Sequence, residues 1–327
     1  MKGSRDMVKV CIVGVYFGNL PNYFDLWLKS AKENTSVNFM VFTDSQRDDL
    51  PENVCFVRFT LEEMKKLASE KLGFEVCLER PYKCCDFRPA YGVIFEDYLK
   101  EFDYWGHCDF DLIWGDLRGF FDRYHLDDYD KFLPLGHLCL YRNTYENNRR
   151  FMSDGASASY KTVYTSNSNF AFDETNGVYR IYRKNAFSMF DKRVFADISK
   201  IYHRFRLALD DKNYDHQVFC WDNGHIYRYY YDDGKIKRDE FIYIHFKERG
   251  ALPVVGDCMS NDSFYVTNHG FYPCNTAAID KEEIQKYNPF ESADSEKREL
   301  KRFTRHERKQ RIMAKINHLF NRKEKLR

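Results

Sequence analysis

Short apolar runs separated by polar loops and interleaved with helical stripes run through the first hundred residues, and this rhythm constrains the fold more than any other feature. Val8–Val15 reads as a buried first strand and Phe17–Pro21 as the loop after it. Asn22–Asn34 carries Tyr23, Phe24, Trp27, Leu28 and Ala31 at helical spacing. Asn38–Phe42 is a second strand, ending at Thr43-Asp44, and Val54–Phe59 a third. Thr60 and Glu63 form a capping-box pattern at the start of the next helix, and a further helix is expected over Pro89–Lys100. Strand and helix in alternation imply a mostly parallel sheet flanked by helices, because parallel strands need crossover connections. Ligands of such sheets bind beyond the carboxyl ends of the strands. The loops Tyr16–Asn19, Thr43–Asp44 and Asp109–Asp111 all belong there.

The third of these loops ends the aromatic run Tyr104-Trp105-Gly106-His107-Cys108-Asp109-Phe110-Asp111. In extended backbone, residues i and i+2 point to the same side, so Asp109 and Asp111 converge on one object. Two hard oxygen ligands suit Mg²⁺ or Mn²⁺. A bare D-x-D is common, so its surroundings decide its meaning. Upstream, Lys83, Asp86 and Arg88 cluster ahead of the expected helix. The two bases can hold a diphosphate, while Asp86 can hold sugar hydroxyls or orient the arginine. The competing reading is a surface salt bridge capping a helix. Downstream, the apolar run Phe241–Phe246 delivers His245, with Lys247 and Arg249 on the same alternation. His245 can serve as a third metal ligand and the two bases can meet phosphates, against the plainer alternative of a core histidine followed by solvated charge.

Between them, Asp173 and Glu174 stand in a loop after an aromatic run, placed to bind or deprotonate an acceptor hydroxyl, although Asp, Asn and Gly here also suit an ordinary turn. Gly136-His137 is a candidate lining for the same side, and Asp215-His216-Gln217 has no assigned role. Beyond Phe132 the alternation weakens. Val178–Tyr182 and His225–Tyr230 suggest short strands, and a helix is expected near Ala196–Leu209.

Ten cysteines lack any CxxC spacing, so they read as reduced, mostly buried thiols rather than a zinc site or a disulfide framework. No window approaches the ~20 apolar residues of a membrane span, and the short run at Val8–Val15 is too strand-like for a signal peptide. A cytoplasmic location is expected. The net charge of +1 is unevenly spread: Lys297–Arg327 holds thirteen Lys/Arg against three Glu, leaving an acidic body. In this tail Ile312, Met313, Ile316, Leu319 and Phe320 fall on one helical face. A basic amphipathic helix of this kind commonly lies on anionic membrane, which would put the chain on the inner face of the plasma membrane; the competing reading is a disordered or solvated C-terminal helix with no partner. Nucleic acid is not expected, since no recognition motif accompanies the charge.

Lys83-x-x-Asp86-x-Arg88, a helix, then Trp105-Gly106-His107-Cys108-Asp109-Phe110-Asp111 resembles the core signature of metal-dependent GT-A glycosyltransferases. The order is similar to transferases reading Ser-Asp-x-x-Arg, helix, Gly-Gly, strand, D-x-D, among them the clostridial toxin glucosyltransferase domains. More closely, Asp86–Gly92, Gly136-His137, Phe172-Asp173-Glu174 and His245-Phe246 resemble an uncharacterised bacterial family found among polysaccharide-biosynthesis genes. The resemblance spans roughly residues 8–250. It implies a GT-A-like, Rossmann-like domain over 1–290, with a nucleotide-sugar half at about 7–120 and an acceptor half at about 121–290, followed by a basic helical tail over 291–327.

It also implies Mn²⁺ or Mg²⁺ on Asp109, Asp111 and His245, a nucleotide-sugar donor (a UDP-sugar foremost), and a saccharide or lipid-linked saccharide acceptor in surface polysaccharide synthesis. Lys83, Arg88, Lys247 and Arg249 are then the candidate phosphate partners, and Asp86 a candidate for the sugar. Tyr16 and Asp44 are candidates for base and ribose, and Asp173 or Glu174 for the acceptor. The late histidine favours retention of configuration by analogy. One departure is Trp105-Gly106, where the family has a glycine pair. Two other classes remain: a D-x-D phosphohydrolase, against which the motif's late position and the following Leu112-Ile113-Trp114 speak, and a non-catalytic sugar- or membrane-binding relative.

Overall fold

The computed structural model of the chain describes residues 7–208, 212–247, 251–290 and 292–324, and for 310–324 the helical backbone alone. Strands β1 (Val10–Tyr16), β2 (Val37–Thr43), β3 (Val54–Arg58) and β4 (Tyr104–Cys108) lie parallel in the order β3-β2-β1-β4. Val10–Val13 is buried on both faces, as a strand covered by helices on either side requires. The chain leaves this sheet for β5 (Leu112–Trp114). It returns with β6 (Lys131–Phe132), β7 (Leu138–Arg142) and β8 (Met189–Phe190), which complete seven strands, β7 antiparallel to β4. The α/β class and the parallel-rich sheet flanked by helices are as the sequence predicts.

One face is covered by the helix Phe24–Lys32, whose Phe24 and Trp27 rings stack and whose Trp27 meets Trp114 edge to face. The other face packs Phe87, Tyr91 and Phe95, all buried. The helix Leu61–Leu72 starts with the predicted capping box, Thr60 and Glu63 each satisfying the other's backbone N–H.

After β9 (Ala196–Asp197), strands β10 (Gln217–Asp222), β11 (His225–Asp232) and β12 (Lys235–Phe241) form an antiparallel meander. Next comes β13 (Tyr243–His245), which inserts between β5 and β9. β14 (Ser263–Thr267) and β15 (Gly270–Pro273) then extend the meander to five strands. The small sheet β5-β13-β9 brings residues far apart in sequence next to the end of β4.

Three expectations are corrected. Val178–Lys184 is a helix, not a strand, because Val178, Ile181 and Tyr182 bury one face at helical period. The described part of Ala196–Leu209, residues 196–208, is not a helix: Ala196–Asp197 is β9, and Ile198 bridges Leu207 in antiparallel fashion. The helix expected over Pro89–Lys100 breaks into the short turns Arg88–Ala90, Tyr91–Ile94 and Glu96–Leu99.

The cysteines among these elements are free thiols. A C-terminal helix spans Ala293–Glu324, its first turns held to the body by Glu296 on Arg206 and by the Glu299 carboxylate accepting from the His203 backbone N–H. The apolar face expected at Ile312, Met313, Ile316, Leu319 and Phe320 lies outside the described side chains. Among the described residues no helix is long and apolar enough to cross a membrane.

Candidate active site

The strand expected to carry both aspartates stops at Cys108, and Asp109-Phe110-Asp111 forms the bend into β5. Phe110 anchors that bend. It is buried among Tyr16, Phe24 and Trp27. It fits only because position 14 of the neighbouring β1 is glycine: a Cβ there would stand 2.5 Å from the Phe110 Cζ. With Phe110 inward, the two flanking carboxylates face outward at the carboxyl end of the parallel strands.

His245 comes to them through β13, which pairs antiparallel with β5 so that His245 lies opposite Leu112. Asp109, Asp111 and His245 each offer a ligand atom, all within 4.8 Å of one another. His245 Nε2 is 3.4 Å from Asp111 Oδ2 and 3.9 Å from Asp109 Oδ2. Burial pushes the imidazole pKa down, but hydrogen bonds to Asp111 and Asp197 outweigh it and lift the value to about 9. Two oxygens and one imidazole nitrogen fit Mn²⁺ or Mg²⁺.

Arg88 bridges Asp109 to the acceptor candidates. Its guanidinium donates to Asp109 Oδ1, to Asp173 Oδ2 at 2.8 Å and to the Gly136 carbonyl at 3.1 Å. Gly136 is packed so closely that a Cβ would meet Asp173 Oδ2 at 2.7 Å and Glu174 Oε1 at 3.0 Å. Burial raises the Asp173 pKa to about 7 despite the Arg88 charge beside it. Burial, reinforced by the Asp109 charge, raises that of Glu174 as well. A carboxylate with its pKa near 7 in a polar cluster, as at Asp173, is suited to carrying a proton.

Two candidates are placed otherwise than the sequence predicts. The Lys83 ammonium is fully buried and its three donors are occupied by Asp86 at 2.8 Å and the Val163 and Ser168 carbonyls at 2.8 and 2.7 Å. None remains for a phosphate. Asp86 is equally enclosed, accepting from the backbone N–H groups of Phe170 and Phe172 at 3.0 and 2.9 Å. It neither holds a sugar nor orients Arg88. This pair instead holds the loop that presents Asp173 and Glu174.

Lys247 lies beside the site but its ammonium pairs with Asp197 Oδ2 at 2.9 Å. Arg249 lies outside the described residues. Tyr16 ends β1 with its ring edge to face and 5.2 Å from Phe110, the residue between Asp109 and Asp111. Asp44 follows β2 and accepts from the Gly18 N–H at 2.8 Å, leaving it exposed on the same rim. Asp215-His216-Gln217 belongs elsewhere: His216 bonds Gln285, and Gln217 is buried in β10.

Sequence reasoning missed Asp197, hidden in the segment expected to be helical. It faces His245 across β9 and β13, with Nδ1 2.9 Å from Oδ1. His137, singled out with Gly136, packs its ring 4.4 Å from that of His245 and bonds the Tyr243 hydroxyl through Nδ1 at 2.7 Å. Burial and the neighbouring His245 hold His137 well below its ordinary pKa, hence neutral.

The model of a family described as a family of unknown function, DUF6625, matches residues 12–275, most of the chain and every candidate site residue. The chain belongs to the DUF6625 family. No curated protein matches this DUF6625 chain in sequence. Among solved structures it is similar to the galactosyltransferase LgtC, determined in complex with donor and acceptor sugar analogues, at 12% identity and a TM-score of 0.33, covering 57% of this chain and 75% of that one. An active-site mutant of LgtC is similar at 14% identity, the same coverage and a TM-score of 0.33. The glycosyltransferase GlyE of Streptococcus pneumoniae TIGR4 is similar at 12% identity and a TM-score of 0.30, covering 57% of this chain and 46% of that one.

Proposed function

We propose that the chain is a metal-dependent glycosyltransferase, moving a sugar from a nucleotide-sugar donor to a saccharide or lipid-linked saccharide acceptor in surface polysaccharide synthesis. The observation that carries this reading is the convergence of Asp109, Asp111 and His245 beyond the carboxyl ends of a parallel sheet. Asp109, Asp111 and His245 would hold Mn²⁺ or Mg²⁺. The cation supplies charge neutralisation for the diphosphate leaving group.

The remaining steps fall to side chains on the page. Arg88 keeps Asp109 Oδ1 engaged, so that Oδ2 is the oxygen turned towards His245. Its fixed positive charge stands where the departing diphosphate gathers negative charge, a stabilisation that needs no rearrangement during the reaction. Lys247 and Arg249 are further candidates for the phosphates. Tyr16 and Asp44, at the ends of β1 and β2, would meet the base and ribose of a UDP-sugar. Asp173 or Glu174 would accept the proton of the acceptor hydroxyl, with Arg88 fixing the distance between that step and the donor. On this reading residues 7–120 handle the donor and 121–290 the acceptor. The basic tail over 291–327 would hold the enzyme to the inner face of an anionic membrane, near a lipid-linked acceptor.

The test is release of nucleoside diphosphate from UDP-sugars with Mn²⁺ present, compared between the wild type and Asp111→Asn. The wild type should turn over and stop on addition of EDTA, and Asp111→Asn should be inactive. Equal turnover by both proteins, or turnover indifferent to EDTA, contradicts the reading.

A further inference from the structure

The His245 imidazole has two nitrogens, and only one can face Asp109 and Asp111. Which one does so depends on what holds the other. Strand β9 lies parallel to β13 with Asp197 directly opposite His245, and Asp197 Oδ1 is 2.9 Å from Nδ1. The second Asp197 oxygen is 2.9 Å from Lys247 Nζ. All three side chains are largely shielded from solvent. His137 braces the ring from its face at 4.4 Å. It is fixed in turn by Tyr243.

We propose that Asp197 is a positioning residue for the metal site: its carboxylate, anchored by Lys247, holds His245 Nδ1 so that Nε2 presents its lone pair between Asp109 and Asp111. The inference rests on the metal reading above and deepens it. A carboxylate behind a ligating histidine fixes its tautomer and orientation and raises its basicity, and losing such a partner costs roughly 10–100-fold in metal affinity. His137, Asp197 and His245 also lie close enough to form a ligand group of their own. The Lys247 ammonium on Asp197 argues against a second cation there, since it already neutralises the carboxylate and repels another positive charge. The arrangement also gives Lys247 a task that the sequence does not suggest: it anchors the anchor.

The experiment titrates the full chain with Mn²⁺ alone and reads free Mn²⁺ by electron paramagnetic resonance, without substrate or turnover. Asp197→Ala should bind about 10–100-fold more weakly than wild type. Asp197→Asn, which keeps an acceptor oxygen for Nδ1–H, should recover part of that loss, as a merely structural role for the charge would not predict. Should Asp197→Ala fail to fold, the double variant Asp197→Leu/Lys247→Met removes both partners without stranding a charge and should show the same weakening. Asp111→Asn serves as the control for the site itself. Wild-type affinity in the Asp197 variants alongside lost binding in Asp111→Asn overturns the positioning role and leaves the metal site standing. Equal Mn²⁺ binding by wild type and Asp111→Asn overturns both.

Discussion

His245 touches Asp111 through one nitrogen, 3.4 Å from Oδ2, and Asp197 through the other, 2.9 Å from Oδ1. An imidazole with acids at both ends keeps its proton, with a pKa of about 9 after burial's opposing pull. A metal ion must displace the proton on Nε2. Mn²⁺ binding should therefore tighten about tenfold per pH unit between pH 6 and 8 and level off near 9. Calorimetry in buffers of differing ionisation enthalpy should register close to one proton released at pH 7. Binding that is flat over this range would place the cation away from His245.

Asp173 is an acid whose pKa burial raises to about 7 in the folded chain, from an ordinary value of 3.8. Between those values the folded protein holds a proton that the unfolded chain has lost, so this group's contribution to stability declines as pH rises from about 4 through about 7. Asp173→Asn should accordingly raise the melting midpoint at pH 8 and change it little at pH 4. If Asp173 takes the acceptor proton, the same variant should lose at least 100-fold in kcat, and wild-type kcat/KM should climb with pH through an inflection near 7. A variant that is destabilised equally at both pH values would show that the Arg88 contact, not burial, dominates this carboxylate.

Lys83 and Asp86 form an enclosed ion pair with every lysine donor occupied. Removing one partner leaves a buried charge without compensation, a loss of roughly 3–5 kcal/mol. Lys83→Met should lower stability by about that amount and loosen the 168–174 loop, with chemical denaturation and amide exchange as the readouts. A loss under about 1 kcal/mol, as for a surface pair, would contradict the structural role.

The parts of the molecule that sequence made legible are those whose signal is local. The buried runs of β1 to β3 and the Thr60–Glu63 capping box follow from period and capping chemistry, whereas Asp109 and Asp111 come together through the bend at Phe110 and not through strand alternation. Val178–Lys184 misled because aromatic and β-branched residues resemble a strand in composition, whereas Val178, Ile181 and Tyr182 obey a helical period. Asp197 was invisible because a two-residue strand has no period, and its meaning comes from pairing with β13, nearly fifty residues on. Lys83 read as a ligand and proved to be an anchor for the same reason: charge is written in the sequence, but burial and the carbonyls of Val163 and Ser168 are not.

The basic tail makes a separate, separable claim. Each Lys or Arg near an anionic surface adds roughly 1 kcal/mol of attraction. Truncation after Leu300 keeps Glu296 and Glu299 on their partners in the body and removes eleven Lys/Arg with two Glu. Co-sedimentation with phosphatidylserine vesicles should fall at least tenfold for the truncated chain, and added salt should have the same effect on the intact one. Equal, salt-sensitive binding by both would move the membrane contact to the body.

The central claim is that Asp109, Asp111 and His245 bind a metal in order to bind a nucleotide sugar. Its most direct test is a thermal-shift panel of UDP-, GDP-, CMP- and dTDP-sugars on the intact chain, with and without Mn²⁺. A ligand that binds only the folded state at 100 times its Kd adds about 2.7 kcal/mol. The account predicts a clear rise in melting midpoint for one nucleotide, UDP foremost, only when Mn²⁺ is present, and no rise in Asp111→Asn. Stabilisation by a sugar nucleotide that is the same without metal, or that persists in Asp111→Asn, would contradict it.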